Sequence, residues 1–381
     1  MDWLEDYDFI LGTYESYVIG YKFDSARREF VLSFTDEAHN GSVRALASGG
    51  KYLLSSGSDE NIKIYNLRNK KEFGSLHHAE GLVRSMVFFK SRYLFTASDD
   101  HRLHVLKTGT WKVEKTLFKH QGPVLDISIH PSGKLALSIG EDFKLVTWNL
   151  IKGRSAYITN LRERPDLVTW CPKGEHYLVG FRNRVDVYEV ESAEVIHSIK
   201  VSGRTNSIAF LDDESFVLAT ESPRIEVHSL SSKEKLFDFE AHEKRVRCVE
   251  VIQKGCSPKV LVSVSNDGWL KLWELSEDRQ EFNLLGQVNS RCRITCLQAH
   301  RVPPVTEGLK EKETGENEES VEKTSLLSKD LLQKVKERCL TIDEEVKAVK
   351  KKQSQLTETK EGEPPKKKKR KRNYKKVVPM E

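Results

Sequence analysis

Apolar residues in this chain fall in short alternating runs and not in helical stripes. The segments YLLSSGS, IKIYNL, LALSIG and KLVTWNL place apolar side chains at every second position, and Gly, Asp, Asn or Ser punctuates the gaps between them. That pattern continues to about His300 and predicts strand after strand with no helix. Beyond it the alternation stops and the chain becomes densely charged.

The strand runs repeat. One unit begins AHNGSVRAL and ends YLLSSGSDENIKIYNL; the next runs HHAEGLVRSMVFF and YLFTASDDHRLHVLKTG. A third is KHQGPVLDISIHPSGKLALSIGEDFKLVTWNL, and a late one is AHEKRVRCVEVI followed by KVLVSVSNDGWLKLWEL. Each has a His, an apolar strand, a second strand carrying Ser or Thr, an acidic turn, and a third strand that most often closes on an aromatic residue. This is the grammar of WD40 repeats. The His anchors are His39, His78, His120 and His242, and the last gap holds three spacings of about 41 residues. Two degenerate repeats, LRERPDLVTWCPKGEHYLVGFRNRVDVYEV and VSGRTNSIAFLDDESFVLATESPRIEVHSL, fill it. A seventh unit is split: VNSRCRITCLQAH supplies one inner strand, and FILGTYESYVIGYKF with REFVLSF supplies the others from the N-terminal end. The expected fold is all-β, a seven-bladed WD40 β-propeller over residues 1–300, closed by pairing between the two ends so that no sheet edge is left free.

His and turn Asp occur together in four units, His39 with Asp59, His78 with Asp100, His120 with Asp142 and His242 with Asp267, and both are missing from the rest. Joint presence predicts contact: the carboxylate accepts from the imidazole, the imidazole bonds a strand hydroxyl (Ser56 in the first unit), and the hydroxyl meets the third-strand aromatic Tyr65. Trp148 and Trp273 occupy the same third-strand place and are read as core residues. Because each pair belongs to its own blade, the four cannot converge on one substrate or metal. No GxxxxGK[ST], strand-following GxGxxG, GxSxG or HExxH is present. The reading is a binding scaffold, not an enzyme, with no cofactor, no metal and no small-molecule substrate.

Arg44, Arg84 and Arg247 each follow the valine that opens an inner strand, and Lys244 and Arg245 precede the last of them. They are either a positive ring at the channel mouth, suited to an acidic peptide or a phosphate backbone, or ordinary solvated strand-end charges. The six cysteines are scattered; Cys292 and Cys296 stand in a C-x3-C spacing without nearby His and read as strand packing. No apolar run of some 18 residues exists, and MDWLEDYDF is acidic where a signal peptide carries a basic region, so the chain is expected in the cytosol or nucleus with no membrane partner.

The remaining residues form a tail with a net charge of about +6, which leaves the propeller near neutral within the overall +5. Residues 301–320, including TEGLKEKETGENEES, read as a disordered linker. Over residues 321–358, Leu332, Val335, Cys339, Ile342, Val346, Val349 and Leu356 recur at three- and four-residue steps and predict an amphipathic heptad helix that packs on the propeller, on itself in a coiled coil or, the preferred reading, on a partner. In residues 359–381, the seven consecutive cations Lys366, Lys367, Lys368, Lys369, Arg370, Lys371 and Arg372 read as a nuclear signal, a phosphate contact, or both.

The run from His130 to Ile158, HPSGKLALSIGEDFKLVTWNLIKGRSAYI, together with SSGSDENIKIYNL and the closing RCRITCL, resembles the p21-activated-kinase-interacting WD40 proteins, nucleolar factors of large ribosomal subunit assembly. The resemblance covers all seven blades in order. It implies a non-enzymatic part in maturing the pre-60S particle in the nucleolus, with binding and restraint of a p21-activated kinase described for some members. The combined expectation is a scaffold that holds ribosome assembly factors on the propeller and pre-rRNA on the basic tail. The alternative is a signalling adaptor for a p21-activated protein kinase.

Overall fold

In the computed structural model the described residues are 2–255, 257–276 and 281–301. Of the tail expectations, Arg301 ends the last strand instead of opening the linker, and the rest of that linker, the Leu332 to Leu356 stripe and the Lys366 to Arg372 run lie outside the described residues.

Among the described residues, the strands form seven four-stranded antiparallel sheets. Blades 1 to 6 use consecutive strands over residues 43–76, 83–118, 124–160, 167–200, 205–240 and 246–289. Blade 7 takes its inner strand, Ile294–Arg301, from the end of the described chain and its other three, Tyr7–Thr13, Tyr17–Asp24 and Glu29–Glu37, from the start. Phe9 lies opposite Ala299 and Leu11 opposite Leu297 across that joint. All seven residues of Tyr7–Thr13 are buried, so the joint is core and not an edge.

Burial grades outward through each blade, which explains the composition of its strands. The second strands are sandwiched on both faces by neighbouring blades: Leu135–Gly140 and Val260–Ser265 are buried throughout. The outer strands, such as Val113–Phe118, are mostly exposed and carry the charged residues. Inner strands touch in cyclic order, each packing on the next and Ile294–Arg301 on Val43–Gly49, which closes the ring. A 3-10 turn, Asp2–Asp6, plugs Leu4 into the core between blades 6 and 7, and Asp6 pairs with Lys254 at 2.8 Å.

Every inner strand runs in the same sense, so all seven begin at one mouth of the central channel. In six blades the register slips one residue after the strand starts. The residue in the slip is Arg44, Arg84, Leu125, Asn206, Arg247 or Thr295, and Leu167 holds the corresponding place in blade 4. A bulge leaves its residue outside the ladder and re-aims its side chain.

Candidate functional site

The interior of each blade sets the rigidity of the ring. In blade 3 the network is complete: His120 Nδ1 lies 2.9 Å from Asp142, His120 Nε2 2.7 Å from Ser138 Oγ, and Trp148 Nε1 2.8 Å from the same Oγ. A carboxylate can only accept, so the ring proton sits on Nδ1. The chain of donors then runs from Trp148 to Ser138, from Ser138 to Nε2, and from Nδ1 to Asp142. Burial holds the His120 pKa below its ordinary value, although Asp142 opposes the shift, so the imidazole is neutral.

Three parts of the expected network are corrected by the structure. In blade 1 the hydroxyl bonded to His39 is Ser55, at 2.8 Å, and not Ser56. Consecutive strand residues face opposite ways, so Ser56 points to blade 2 and donates to the Val83 carbonyl at 2.9 Å. Tyr65 contacts Ser55 but donates its proton to Asp36 of blade 7 at 2.8 Å, tying the first blade to the split one. His39 itself meets Asp59 at 3.0 Å. In blade 2 His78 bonds Thr96 but not Asp100, which instead takes His104 at 2.9 Å. In blade 6 His242 and Trp273 both reach Ser263 at 2.8 Å, but Asp267 is bonded by Ser265 and the His242 Nδ1 has no partner.

The reason lies two residues before the Asp. Blades 1 and 3 have Gly57 and Gly140 there; blades 2 and 6 have Ser98 and Ser265. A methyl group at Gly140 would stand 2.5 Å from Asp142 Oδ1 and 2.6 Å from His120 Nδ1, and one at Gly57 would collide with Asp59 and His39. The His–Asp bond therefore occupies the volume of a side chain, and a serine at that place displaces it. Neither glycine has positive φ, so the requirement is one of space alone. Gly140→Ala is expected to cost about 2 to 4 kcal/mol by breaking a buried network, read from urea denaturation midpoints.

The reverse change is equally informative. The His242 pKa is lowered to about 3, first by burial and then by Lys271. A folded state with neutral His242 loses stability as pH falls below the ordinary 6.5, where the unfolded chain binds a proton, down to about 3. Ser265→Gly frees Asp267 to reach the imidazole, and the His242 pKa measured by NMR titration should rise. An unchanged value would show that the serine is not the obstacle.

The channel mouth is the second feature, a cavity of about 460 Å³ lined by the bulge residues of all seven blades. Arg44, Arg84 and Arg247 all lie here, and the structure adds Arg164 and Arg204 from the degenerate blades. Their charge is not uniformly available. Arg84 forks onto Asp99, Arg164 reaches Glu141 at 2.8 Å and Asp166 at 3.0 Å, and Arg204 reaches Asp166 at 2.7 Å. Arg247 is half-buried and donates to the Thr295 carbonyl at 3.2 Å; burial, then Arg245, lowers its pKa. Among the described residues Arg44 and Lys244 have no ion-pair partner and are exposed, and Arg245 meets only Glu221, at 3.9 Å.

Deeper in the channel, carboxylates stitch neighbouring inner strands. Asp126 accepts from the Val168 backbone NH at 2.9 Å and Glu250 accepts from Ala299 and Gln298; burial raises their pKa values to about 6 and about 8. Sequence reasoning missed both, and missed Arg164 and Arg204. The strand alternation that places Asp126 and Glu250 on the channel side is visible in VLDISI and VRCVEVI. Among the described residues no three His, Cys, Asp or Glu side chains gather to hold a metal ion.

This ring of four-stranded blades, with its buried His–Asp–Ser–Trp network, defines the protein as a WD40 β-propeller, and the family WD domain, G-beta repeat, matches residues 29–66, 111–149 and 233–274. Each matched interval starts near the outer strand of one blade and ends in the third strand of the next. The chain is 36% identical over 295 residues to p21-activated protein kinase-interacting protein 1-like of Danio rerio, covering 76% of this chain and 79% of the relative. It is 32% identical over 299 residues to p21-activated protein kinase-interacting protein 1 of Homo sapiens, covering 76% of each. Protein MAK11 of Saccharomyces cerevisiae is 30% identical over 225 residues, covering 51% of this chain and 54% of the relative. The chain belongs to the p21-activated protein kinase-interacting protein 1 family.

Proposed function

We propose that this protein is a non-enzymatic scaffold in nucleolar assembly of the large ribosomal subunit and in pre-rRNA processing. The propeller, residues 1–300, holds assembly factors; the predicted helix in residues 321–358 joins a neighbour; the basic residues 359–381 give nuclear entry and contact pre-rRNA. The observation that carries this reading is the guanidinium-lined mouth on a rigid closed ring, a surface built to hold another chain, with no constellation for covalent chemistry beside it among the described residues. Family membership supports it. The names of the Danio rerio and Homo sapiens relatives, which call them interacting proteins of a p21-activated kinase, support the binding half of the second reading, an adaptor that binds and restrains such a kinase.

Sucrose-gradient sedimentation of the tagged protein from cell extract, with and without RNase, separates the two. Assembly work predicts co-migration with pre-rRNA in particles near 60S and collapse of that peak on RNase treatment. Migration only as a small complex that contains a kinase would replace the first reading with the second.

A further inference from the structure

We infer that the mouth sector formed by blades 6, 7 and 1 binds an acidic peptide segment, whose carboxylate side chains Arg44 and Arg247 receive from either side of Thr295. This rests on the reading of the mouth as a docking site and names its ligand.

The mouth is electrostatically divided. On the side of blades 2 to 5, Arg84, Arg164 and Arg204 are neutralised by Asp99, Glu141 and Asp166. On the other side, among the described residues Arg44 and Arg247 touch no carboxylate, and the chain just ahead of the inner strands adds Lys244 and Arg293. Arg293 is held over the Tyr14 ring and on the Asn266 amide oxygen, and its backbone NH donates to the Glu15 carboxylate; among the described residues its guanidinium forms no ion pair. The inner strand of blade 7 packs between those of blades 6 and 1, so these cations share one arc of the rim.

The ligand class follows from what surrounds them. A single-stranded polynucleotide is held by aromatic platforms alternating with cations; no aromatic side chain lines this cavity, and Tyr14 at the rim is covered by Arg293. A continuous phosphate backbone crossing the mouth would also run into Asp166 and Asp126 on the far side. Spaced carboxylates on a peptide avoid both difficulties, because each pairs with one guanidinium in a forked geometry. Leu46 of blade 1, with Leu82 at the start of blade 2, forms the apolar shoulder of the cavity next to this sector and covers the aliphatic carbons of an entering chain. A volume of about 460 Å³ suits one or two side chains inserted from an extended segment.

The test uses the full-length chain with Lys366 to Arg372 replaced by Gln, so that the basic run cannot capture the probes. Fluorescence anisotropy is read with a labelled Glu- and Leu-containing peptide, its Gln counterpart, and a single-stranded RNA. The acidic peptide should bind at least about tenfold more tightly than the Gln peptide, and Arg44→Glu should weaken it by about tenfold or more. Lys112→Glu, the same charge change at an exposed position on the outside of blade 2, should leave it unchanged. Arg44 is exposed and its side chain bonds nothing among the described residues, so its variant keeps the fold; Arg247→Lys, which keeps charge but not the fork, should give an intermediate loss. Equal binding of the acidic and Gln peptides, equal loss in Lys112→Glu, or an RNA affinity that falls with Arg44→Glu as far as the peptide's would overturn the inference. Absent peptide binding in a protein that still sediments near 60S removes this ligand and leaves the scaffold reading; the opposite pair of results does the reverse.

Discussion

Trp148→Ala should lower the free energy of unfolding by about 4 kcal/mol, near the top of the range for a single core truncation. Trp148 is 1% exposed and packs with Leu117, Val124 and Ile127 where blades 2 and 3 meet, so its removal leaves a cavity that two rigid sheets cannot close. It also leaves Ser138 without the indole donor at the centre of the blade 3 network. The polar part can be separated with phenylalanine. Trp170 is buried as well, but its indole NH has no acceptor. Trp148→Phe should therefore cost about 1 to 2 kcal/mol more than Trp170→Phe, compared through urea midpoints at equal m value. Equal costs would mean that the bond to Ser138 adds nothing beyond volume.

That contrast also marks what was legible in the sequence. The number of blades, the split seventh blade and the buried third-strand aromatics are all written in short-range alternation and repeat spacing, because a sheet blade is a local object. The bonds inside a blade depend on one-residue distinctions. Ser55 and Ser56 are identical as letters, and only the facing of the strand says which meets His39. The Gly57 and Gly140 against Ser98 and Ser265 difference was available in the sequence and decides where a His–Asp bond forms, but its meaning is steric and needs the coordinates. The ion pairs that neutralise half of the mouth join different blades: Arg164 with Glu141, and Arg204 with Asp166. No local pattern encodes them. Arg44, Arg84 and Arg247 look equivalent in the repeat, yet Asp99 silences one, burial constrains another, and only Arg44 stands free and exposed.

Neutralising Lys366 to Arg372 with glutamine should have the largest effect on nucleic-acid binding. Each cation paired with a single-stranded phosphate contributes about 0.7 to the slope of log affinity against log salt, so seven contribute about 5. Raising salt from 50 to 200 mM should then weaken RNA binding to the parent protein by about a thousandfold, and binding to the variant far less. Because such contacts read no base edges, the loss should be equal for unrelated RNA sequences. Arg44→Glu in the otherwise unchanged protein should leave this slope within about one unit, since the propeller is near neutral and its free cations are arranged for discrete carboxylates. A slope unchanged by loss of the basic run would move the phosphate contacts elsewhere on the chain. A slope that fell by several units with Arg44→Glu alone would place the RNA at the mouth. The two variants together assign polynucleotide and peptide to separate parts of one protein, which is what a scaffold joining pre-rRNA to assembly factors requires.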